Sequence, residues 1–192
     1  MNFSRRSHTR RATWVVACVM VLTGCTLGAP ENNPGGGAIN IDTVPLTALA
    51  DRRPAPAVCG QTIAGDELCL ADLADRPVLV NFWGSWCGPC AREIPELVAL
   101  GDDYGDALSI VGVNEQDTRV NARSFERDQG VDYPSWFDEG AVIAAQFGGI
   151  APEALPSTIL LDAEHRVAVT LLGAVSRGQL EPYLQALTAE TP

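Results

Sequence analysis

The sequence predicts one α/β domain, a three-layer sandwich with a mixed central sheet and an N-terminal β-hairpin. Three observations lead to this fold class. From about residue 57, short apolar runs alternate with amphipathic segments, a pattern typical of strands and helices packed in layers. Val78–Trp83 is apolar at almost every position, as expected for a central strand buried on both faces. The chain has 192 residues, enough for one domain with a sizeable core.

The first predicted elements are a hairpin, the central strand and a helix. Cys59 and Cys69 lie on either side of an Ala-Gly-Asp turn, so the segments around them are expected to pair as a β-hairpin. The central strand is followed by a helix from Cys87 to about Gly101, whose apolar residues recur at helical spacing. Pro95 lies inside this helix and is expected to kink it.

The second half of the chain continues the alternation. Strands are predicted at 108–113, 157–161 and 167–172, the last two joined by a turn at 162–165. Helices are predicted from a cap at Asp117 or Thr118 to about 128, at 141–147, and at 176–187 with Ser176 as the N-cap. Residues 133–137 form a short segment that the pattern does not assign.

Residues 1–24 have the organisation of a bacterial secretory signal peptide. Four arginines precede an 11-residue run, Ala12–Leu22, which is shorter than the roughly 20 residues of a membrane span. The next residues, Leu-Thr-Gly-Cys, resemble a lipobox, in which the signal is cut before the cysteine and the cysteine carries lipid. We therefore expect lipidation at Cys25. A signal peptide without lipidation and an uncleaved anchor are the alternatives.

Residues 25–56 are predicted to be a lipid-attached flexible linker, and the folded domain is expected to span 57–192. The linker contains a Pro-Gly-Gly-Gly run and scattered prolines and has no sustained period. Three apolar residues near its end are candidates to dock on the domain: Ile39, Ile41 and Val44.

The charge of the chain excludes some partners. The first 24 residues hold four of the 13 basic residues and no acidic one. The rest therefore carries all 24 acidic residues and a net charge of about −15. This balance argues against binding of nucleic acid or of anionic lipid by charge. Attachment to a membrane would come from the lipid on Cys25.

The segment Trp86-Cys87-Gly88-Pro89-Cys90 carries the chemistry. Two cysteines separated by two residues can close to a disulfide and reopen, and here they follow the central strand at a predicted helix start. A helix N-terminus stabilises a thiolate, and the thiolate is the nucleophile in disulfide exchange. In an export compartment disulfides persist, and four cysteines are candidates for them: Cys59, Cys69, Cys87 and Cys90.

Several motifs resemble those of thioredoxins, and in particular the membrane-anchored TlpA/ResA-type thiol–disulfide oxidoreductases. The resemblance runs from about residue 57 to 188, with the motifs in the right order. They are Val78–Cys90, Ala71-Asp72-Leu73 before that strand, Arg92-Glu93-Ile94-Pro95 after the dithiol, Val111-Gly112-Val113-Asn114, and Leu155–Asp162. The resemblance implies a thioredoxin-like fold for the predicted sandwich.

The resemblance also implies roles at the dithiol. Cys87 would be the exposed nucleophile and Cys90 the resolving thiol that closes the Cys87–Cys90 bond. Gly88 and Pro89, the dipeptide of reducing thioredoxin, favour a reductase over the alternative, an oxidase that introduces disulfides into exported proteins. Further implied features are a cis Leu155–Pro156 bond beside the dithiol and an exposed Trp86 for partners, with Trp83 in the core.

The resemblance also raises the question of which residue relays protons at the dithiol. Asn81 stands where cytoplasmic thioredoxins have a buried Asp that helps to move protons, and Asn cannot titrate. ResA-like proteins have a buried Glu, which we expect shortly after the second central strand. Asp117 is nearest to that position and Glu115 competes with it. The alternative is that both are solvated loop acids and that neither serves the dithiol.

Cys59 and Cys69 are expected to form a structural cross-strand disulfide. A second redox pair and two free thiols are the alternatives, and the nine-residue spacer lacks the CxxC geometry.

No cofactor or metal is implied. A copper-binding module would want a distant His, and only His165 is available outside the signal. A peroxidase would want Thr or Ser three residues before its cysteine, where Gly84 stands.

The implied partners are protein thiols and disulfides, with apocytochrome c as a typical client of the family. A reductase outside the cytoplasm also needs a membrane dithiol transporter as electron donor. We expect a monomer, attached by lipid at the extracytoplasmic face of the cell membrane.

Overall fold

A computed structural model describes residues 44–73, 75–148 and 154–190. The predicted signal peptide, Cys25 and most of the predicted linker lie outside these residues. Within the described ranges, no helix is long and apolar enough to cross a membrane.

The described chain forms a mixed five-stranded sheet with helices on both faces, and a small two-stranded sheet beside it. The strands are β1 Cys59–Gln61, β2 Glu67–Cys69, β3 Val78–Trp83, β4 Ser109–Glu115, β5 Ser135–Asp138, β6 Ser157–Leu161 and β7 Val167–Leu172. The helices are α1 Gly88–Tyr104, α2 Arg119–Gln129, α3 Val142–Gln146 and α4 Arg177–Glu190, with 3₁₀ turns at Leu49–Asp51, Leu70–Leu73 and Gly105–Ala107. The predicted fold class is confirmed.

The central sheet has the order β5-β4-β3-β6-β7. β3, β4 and β5 run parallel, while β6 is antiparallel to both β3 and β7. One face of β3 packs in a cluster with Ile143 and Phe147 from the α3 region, and the other packs with Leu97 from α1 and Leu184 from α4. β3 is buried at every position, which explains why its sequence is apolar at all positions but Asn81.

Helix α1 begins directly after Cys87. The Cys87 sulfur accepts a hydrogen bond from the Cys90 backbone N–H at 3.2 Å, and Pro89 occupies the first turn, where a missing N–H costs nothing. The helix continues through Pro95 to Tyr104, three residues beyond its predicted end. Its apolar stripe is buried, so packing holds it together despite the internal proline.

Two other elements differ from their predicted bounds. The unassigned segment near residue 135 is a strand, β5, because it pairs in parallel with β4, with Gly112 opposite Ser135. Helix α4 extends to Glu190, and its last residue is an ion-pair partner of Arg52. Both differences come from tertiary contacts, which a local pattern does not contain.

The domain begins before residue 57. Residues 44–56, here called the N-terminal strap, run along β7: Thr47 N–H donates to the Ala168 carbonyl and Val167 N–H to the Arg53 carbonyl, both at 2.8 Å. Arg52 is buried and pairs with Asp162 at 3.1 Å and with Glu190 at 2.6 Å. This part of the predicted linker is therefore a packed part of the domain.

The β1–β2 hairpin lies against the opposite edge of the sheet. Ile63 N–H donates to the Ser135 carbonyl at 2.8 Å, and Thr62 forms a bridge with Trp136. The guanidinium of Arg119 donates to the carbonyls of Thr62 and Ile63 at 2.6 and 2.8 Å. These hydrogen bonds connect the first residue of α2 to the turn of the hairpin.

Candidate active site

Cys87 and Cys90 form a disulfide at the start of α1, beside the carboxyl end of β3. Cys87 is 5 % exposed and Cys90 is fully buried, so the expectation of an exposed Cys87 is wrong for the disulfide form. After reduction the Cys87 sulfur would lie at the helix N-cap, where the backbone N–H groups and the helix dipole stabilise a thiolate. The arrangement suits a nucleophilic thiol above a resolving thiol one turn deeper.

The loop before β6 meets the same end of the sheet. The Leu155–Pro156 peptide bond is cis, and Ser157 begins β6 opposite Phe82 of β3. Because β6 is antiparallel to β3, its start lies beside the end of β3 that leads to the dithiol. Leu155 packs against the apolar cluster that contains both cysteines.

The two tryptophans near the dithiol lie in different environments. Trp83 is fully buried and stacks on Phe125, with ring centroids 5.0 Å apart, whereas Trp86 is 59 % exposed. A Cβ at Gly84 would approach the Trp86 ring to 2.8 Å, so glycine lets the indole lie back on its own loop. An exposed aromatic ring next to the nucleophile is available to contact a polypeptide.

A buried carboxyl group that the sequence analysis missed lies on α1. Glu93 is 1 % exposed; it accepts hydrogen bonds from the Asn81 side-chain amide and the Val175 backbone N–H, each at 3.0 Å. Burial raises the pKa of Glu93 to about 7, although these hydrogen bonds act against the rise. Glu93 follows Cys90 by three positions, so it lies on the same buried face. That spacing could have identified it.

Neither Asp117 nor Glu115 combines full burial with a raised pKa, as a proton relay at the dithiol would. Burial alone would raise the pKa of Asp117, but hydrogen bonds from Ser85, Asn114 and Thr118 outweigh it and hold that pKa below its usual value. The pKa of Glu115 is raised to about 7, first by burial and then by the nearby Asp138 carboxylate, but Glu115 is only half-buried. An acid kept ionised by three donors does not suit proton exchange near neutral pH, so the structure does not support Asp117 as the relay.

Cys59 and Cys69 also form a disulfide, between directly opposed residues of β1 and β2. Cys59 is exposed and Cys69 is half-buried. In the part of the chain that the structure describes, no three His, Cys, Asp or Glu side chains cluster as metal ligands.

A CxxC disulfide at a helix start, beside a cis-proline loop and on this mixed sheet, defines a thiol–disulfide oxidoreductase of the thioredoxin superfamily. Residues 52–170 match the AhpC/TSA family, and the chain belongs to that family. The chain is 30 % identical over 137 residues to the thiol-disulfide oxidoreductase ResA of Bacillus anthracis, covering 71 % of this chain and 78 % of that protein. It is 25 % identical to ResA of Bacillus subtilis over 141 residues, 73 % of this chain and 77 % of the relative.

Solved structures give the same class. A DsbF homologue from Corynebacterium diphtheriae has a TM-score of 0.71 and 34 % identity, covering 80 % of this chain and 96 % of that one. A secreted thiol-disulfide isomerase from Corynebacterium glutamicum has a TM-score of 0.72 and 28 % identity, covering 87 % and 99 %. The resemblance found in the sequence motifs and the enzyme class are both confirmed.

Proposed function

We propose that the protein is an extracytoplasmic, membrane-tethered oxidoreductase that mainly reduces disulfides in other proteins, using Cys87 and Cys90. The observation that carries the proposal is the Cys87–Cys90 pair at the N-terminus of α1, next to the cis Leu155–Pro156 loop. The helix end favours a reactive thiolate, and the loop offers its backbone for pairing with an extended client.

The proposed exchange moves two electrons from the dithiol to the client. The Cys87 thiolate attacks one sulfur of the client disulfide, which forms a Cys87–client disulfide and releases the other client sulfur as a thiolate. Cys90, once deprotonated, attacks the Cys87 sulfur; the Cys87–Cys90 bond forms and the second client thiolate leaves. The reverse sequence would oxidise a client dithiol.

Glu93 is the proposed acceptor for the Cys90 proton. Both groups are buried, they are one helical turn apart, and a carboxyl group with a pKa of about 7 can take up and release a proton near neutral pH. Asn81 and Val175 fix the carboxylate by donating to its two oxygens. Glu93 thus replaces Asp117 and Glu115 in the proposed mechanism.

The direction of exchange rests on Gly88 and Pro89, the dipeptide found in reducing thioredoxin. A reduction potential measured against glutathione tests it: a value near −270 mV supports the reductase, and one near −120 mV supports the oxidase. The expected electron donor is a membrane dithiol transporter, because no reductant pool of the cytoplasm reaches the other side of the membrane.

The proposed location rests on the Arg-rich segment, the apolar run and the Leu-Thr-Gly-Cys ending of residues 22–25. The secreted relative from Corynebacterium glutamicum is consistent with export. Cys25→Ser in the full chain should abolish incorporation of radiolabelled palmitate and leave the protein as a precursor of higher mass that keeps residues 1–24. Unchanged labelling would exclude Cys25 as the lipid site.

Client trapping tests the activity itself. Cys90→Ser should accumulate clients as mixed disulfides on Cys87, visible as reductant-sensitive bands on gels. The Cys87→Ser/Cys90→Ser double variant is the matched control and should trap none. An absence of trapped clients would count against the proposal, and apocytochrome c among them would support a role in cytochrome c maturation.

A further inference from the structure

Asp117 joins two loops at the dithiol end of the sheet. One carboxylate oxygen, Oδ2, accepts from the Ser85 backbone N–H at 2.7 Å and from the Asn114 side-chain amide at 3.1 Å. The other, Oδ1, accepts from the Thr118 N–H at 2.7 Å. The side chain is 6 % exposed. Asp117 thus ties the loop after β3 to the loop after β4.

The loop after β3, residues 84–86, leads directly into the nucleophile. Cys87 N–H donates back to the Gly84 carbonyl at 3.0 Å, and the exposed Trp86 indole lies against Gly84. Ser85, whose N–H donates a hydrogen bond to Asp117, lies between Gly84, which the indole contacts, and Trp86, which carries the indole. A shift at Ser85 would move both Trp86 and Cys87.

The hydrogen bonds of Asp117 do more than cap the start of α2. Thr118 is the N-cap of that helix, and its own hydroxyl accepts from the Asn121 N–H at 3.2 Å. Asp117 stands outside the helix and takes two of its three bonds from β4 and from the loop after β3. All three of these groups are donors, so a carboxylate can accept from all of them, whereas an amide has one accepting oxygen and would turn its NH2 group toward a donor.

We propose that Asp117 is a positioning residue that holds the loop at residues 84–86, and with it Trp86 and Cys87, in place for docking of protein clients. This inference rests on the proposed disulfide reductase function. It assigns Asp117 to client binding through the loop, in contrast to proton transfer, which falls to Glu93. Hydrogen bonds that keep the Asp117 carboxylate charged also make each of its contacts charge-assisted and stronger.

The test compares Asp117→Asn with Asp138→Asn. Asp138 is a buried carboxylate at the end of the neighbouring strand, where it accepts from the N–H groups of Val142 and Ala144 at 2.7 and 2.8 Å. It makes the same kind of contact without touching the loop at 84–86. We expect Asp117→Asn to raise the KM for insulin reduction about tenfold, the cost of one charge-assisted hydrogen bond. Asp138→Asn should leave that KM within about twofold.

A small substrate separates docking from chemistry. Oxidised glutathione presents almost no protein surface, so its rate of reduction should stay within about twofold of wild type in Asp117→Asn. Trp86, the exposed tryptophan in the described residues, should become more accessible to acrylamide quenching, with Trp86→Phe as the background. If Asp117→Asn fails to fold by circular dichroism, Asp117→Ser replaces the carboxylate by a shorter, uncharged hydroxyl and should show the same pattern, with the KM for insulin raised about tenfold.

An equal loss with insulin and glutathione would overturn the inference, because Asp117 would then act on the chemistry. No change with either substrate would overturn it as well. Failure of the wild-type chain to reduce insulin would overturn the proposed reductase function. In that case the Trp86 quenching would still decide whether Asp117 holds the loop.

Discussion

Two disulfides lie within the described residues, and they are the same bond in different surroundings. Cys87 and Cys90 are three residues apart and buried at a helix start. Cys59 and Cys69 are ten apart, face each other across two strands of three residues each, and leave Cys59 exposed. Exposure alone would select the second pair as the reactive one, but the surroundings favour the first.

The first pair has three neighbours that the second lacks. A helix N-terminus lies at Cys87, a buried carboxyl group follows Cys90 by one turn, and the Leu155–Pro156 loop lies on the same end of the sheet. Beside the pair at 59 and 69, the described residues place a four-residue 3₁₀ turn at Leu70–Leu73, and its carboxylate, Asp72, is exposed and accepts from the Cys69 backbone N–H at 2.8 Å. A disulfide therefore becomes a catalyst through the groups that stabilise its thiolate and accept its proton.

The largest expected effect is on the rate of insulin reduction, and it distinguishes the Cys87–Cys90 pair from the Cys59–Cys69 pair. Cys87→Ser should reduce insulin reduction to the uncatalysed rate, because serine is not a nucleophile in disulfide exchange. The matched control, Cys59→Ser with Cys69→Ser, should keep the activity. If the control lost the activity and Cys87→Ser retained it, the assignment of the two pairs would be reversed.

The next effect concerns Glu93. Glu93→Gln should lower kcat about 100-fold at neutral pH and flatten its pH dependence around 7, because glutamine cannot accept the Cys90 proton. Stopped-flow measurement of client release reports this step. Glu115→Gln is the control, since the pKa of Glu115 is also about 7, and it should leave kcat nearly unchanged.

Glu93 also predicts the pH dependence of stability. Its pKa of about 7 in the fold lies above the ordinary 4.5, so its contribution is complete below pH 4.5 and is lost as the pH rises through 7. Wild type should lose about 3 kcal/mol of unfolding free energy over that range relative to Glu93→Gln. Urea unfolding at pH 5 and pH 8 measures the difference, and parallel curves would contradict the assignment.

A smaller effect is expected at the exposed aromatic ring. Trp86→Ala should raise the KM for insulin about fivefold while leaving kcat and the reduction potential unchanged, because the side chain contacts clients and not the sulfurs. Trp83→Phe, at a buried site, should change stability more than KM. An unchanged KM in Trp86→Ala would remove this ring from the client surface.

The smallest effect on activity is expected from the second pair. Replacing Cys59 and Cys69 by serine should change insulin reduction by less than about twofold but lower the unfolding free energy by about 2.5 kcal/mol, since the bond closes a ten-residue loop. Thermal unfolding with and without the bond measures the loss. A large loss of activity at full stability would instead favour a relay of electrons through this pair.

The sequence predicted the parts of the site that lie close together along the chain. The strand, the dithiol and the helix start form one continuous segment, and Leu155–Pro156 lies next to an unmistakable strand. The role of Glu93 depends on partners 12 and 82 residues away, Asn81 and Val175, and no local pattern contains them. Asp117 was expected as a proton relay from its position after β4, but its hydrogen bonds, visible only in the fold, support the positioning role proposed for it.

The N-terminal strap, residues 44–56, is a second example of structure that depends on residues far apart in the sequence. Its composition is that of a linker, yet Arg52 reaches Asp162 and Glu190, which are 110 and 138 residues away. A pair of this kind is visible only when the two chain ends come together. By contrast, the order of strands and helices depends on apolar periodicity, and the sequence was sufficient for it.

The strap and the hairpin have a consequence for self-association. β5 and β7 are the outer strands of the central sheet, and unpaired outer strands are templates for pairing between molecules. Residues 44–56 lie along β7 and the β1–β2 hairpin lies along β5, so both covers come from the chain before β3. A chain shortened to begin at residue 57 would keep its dithiol and expose β7, and its defect would be aggregation before any loss of chemistry.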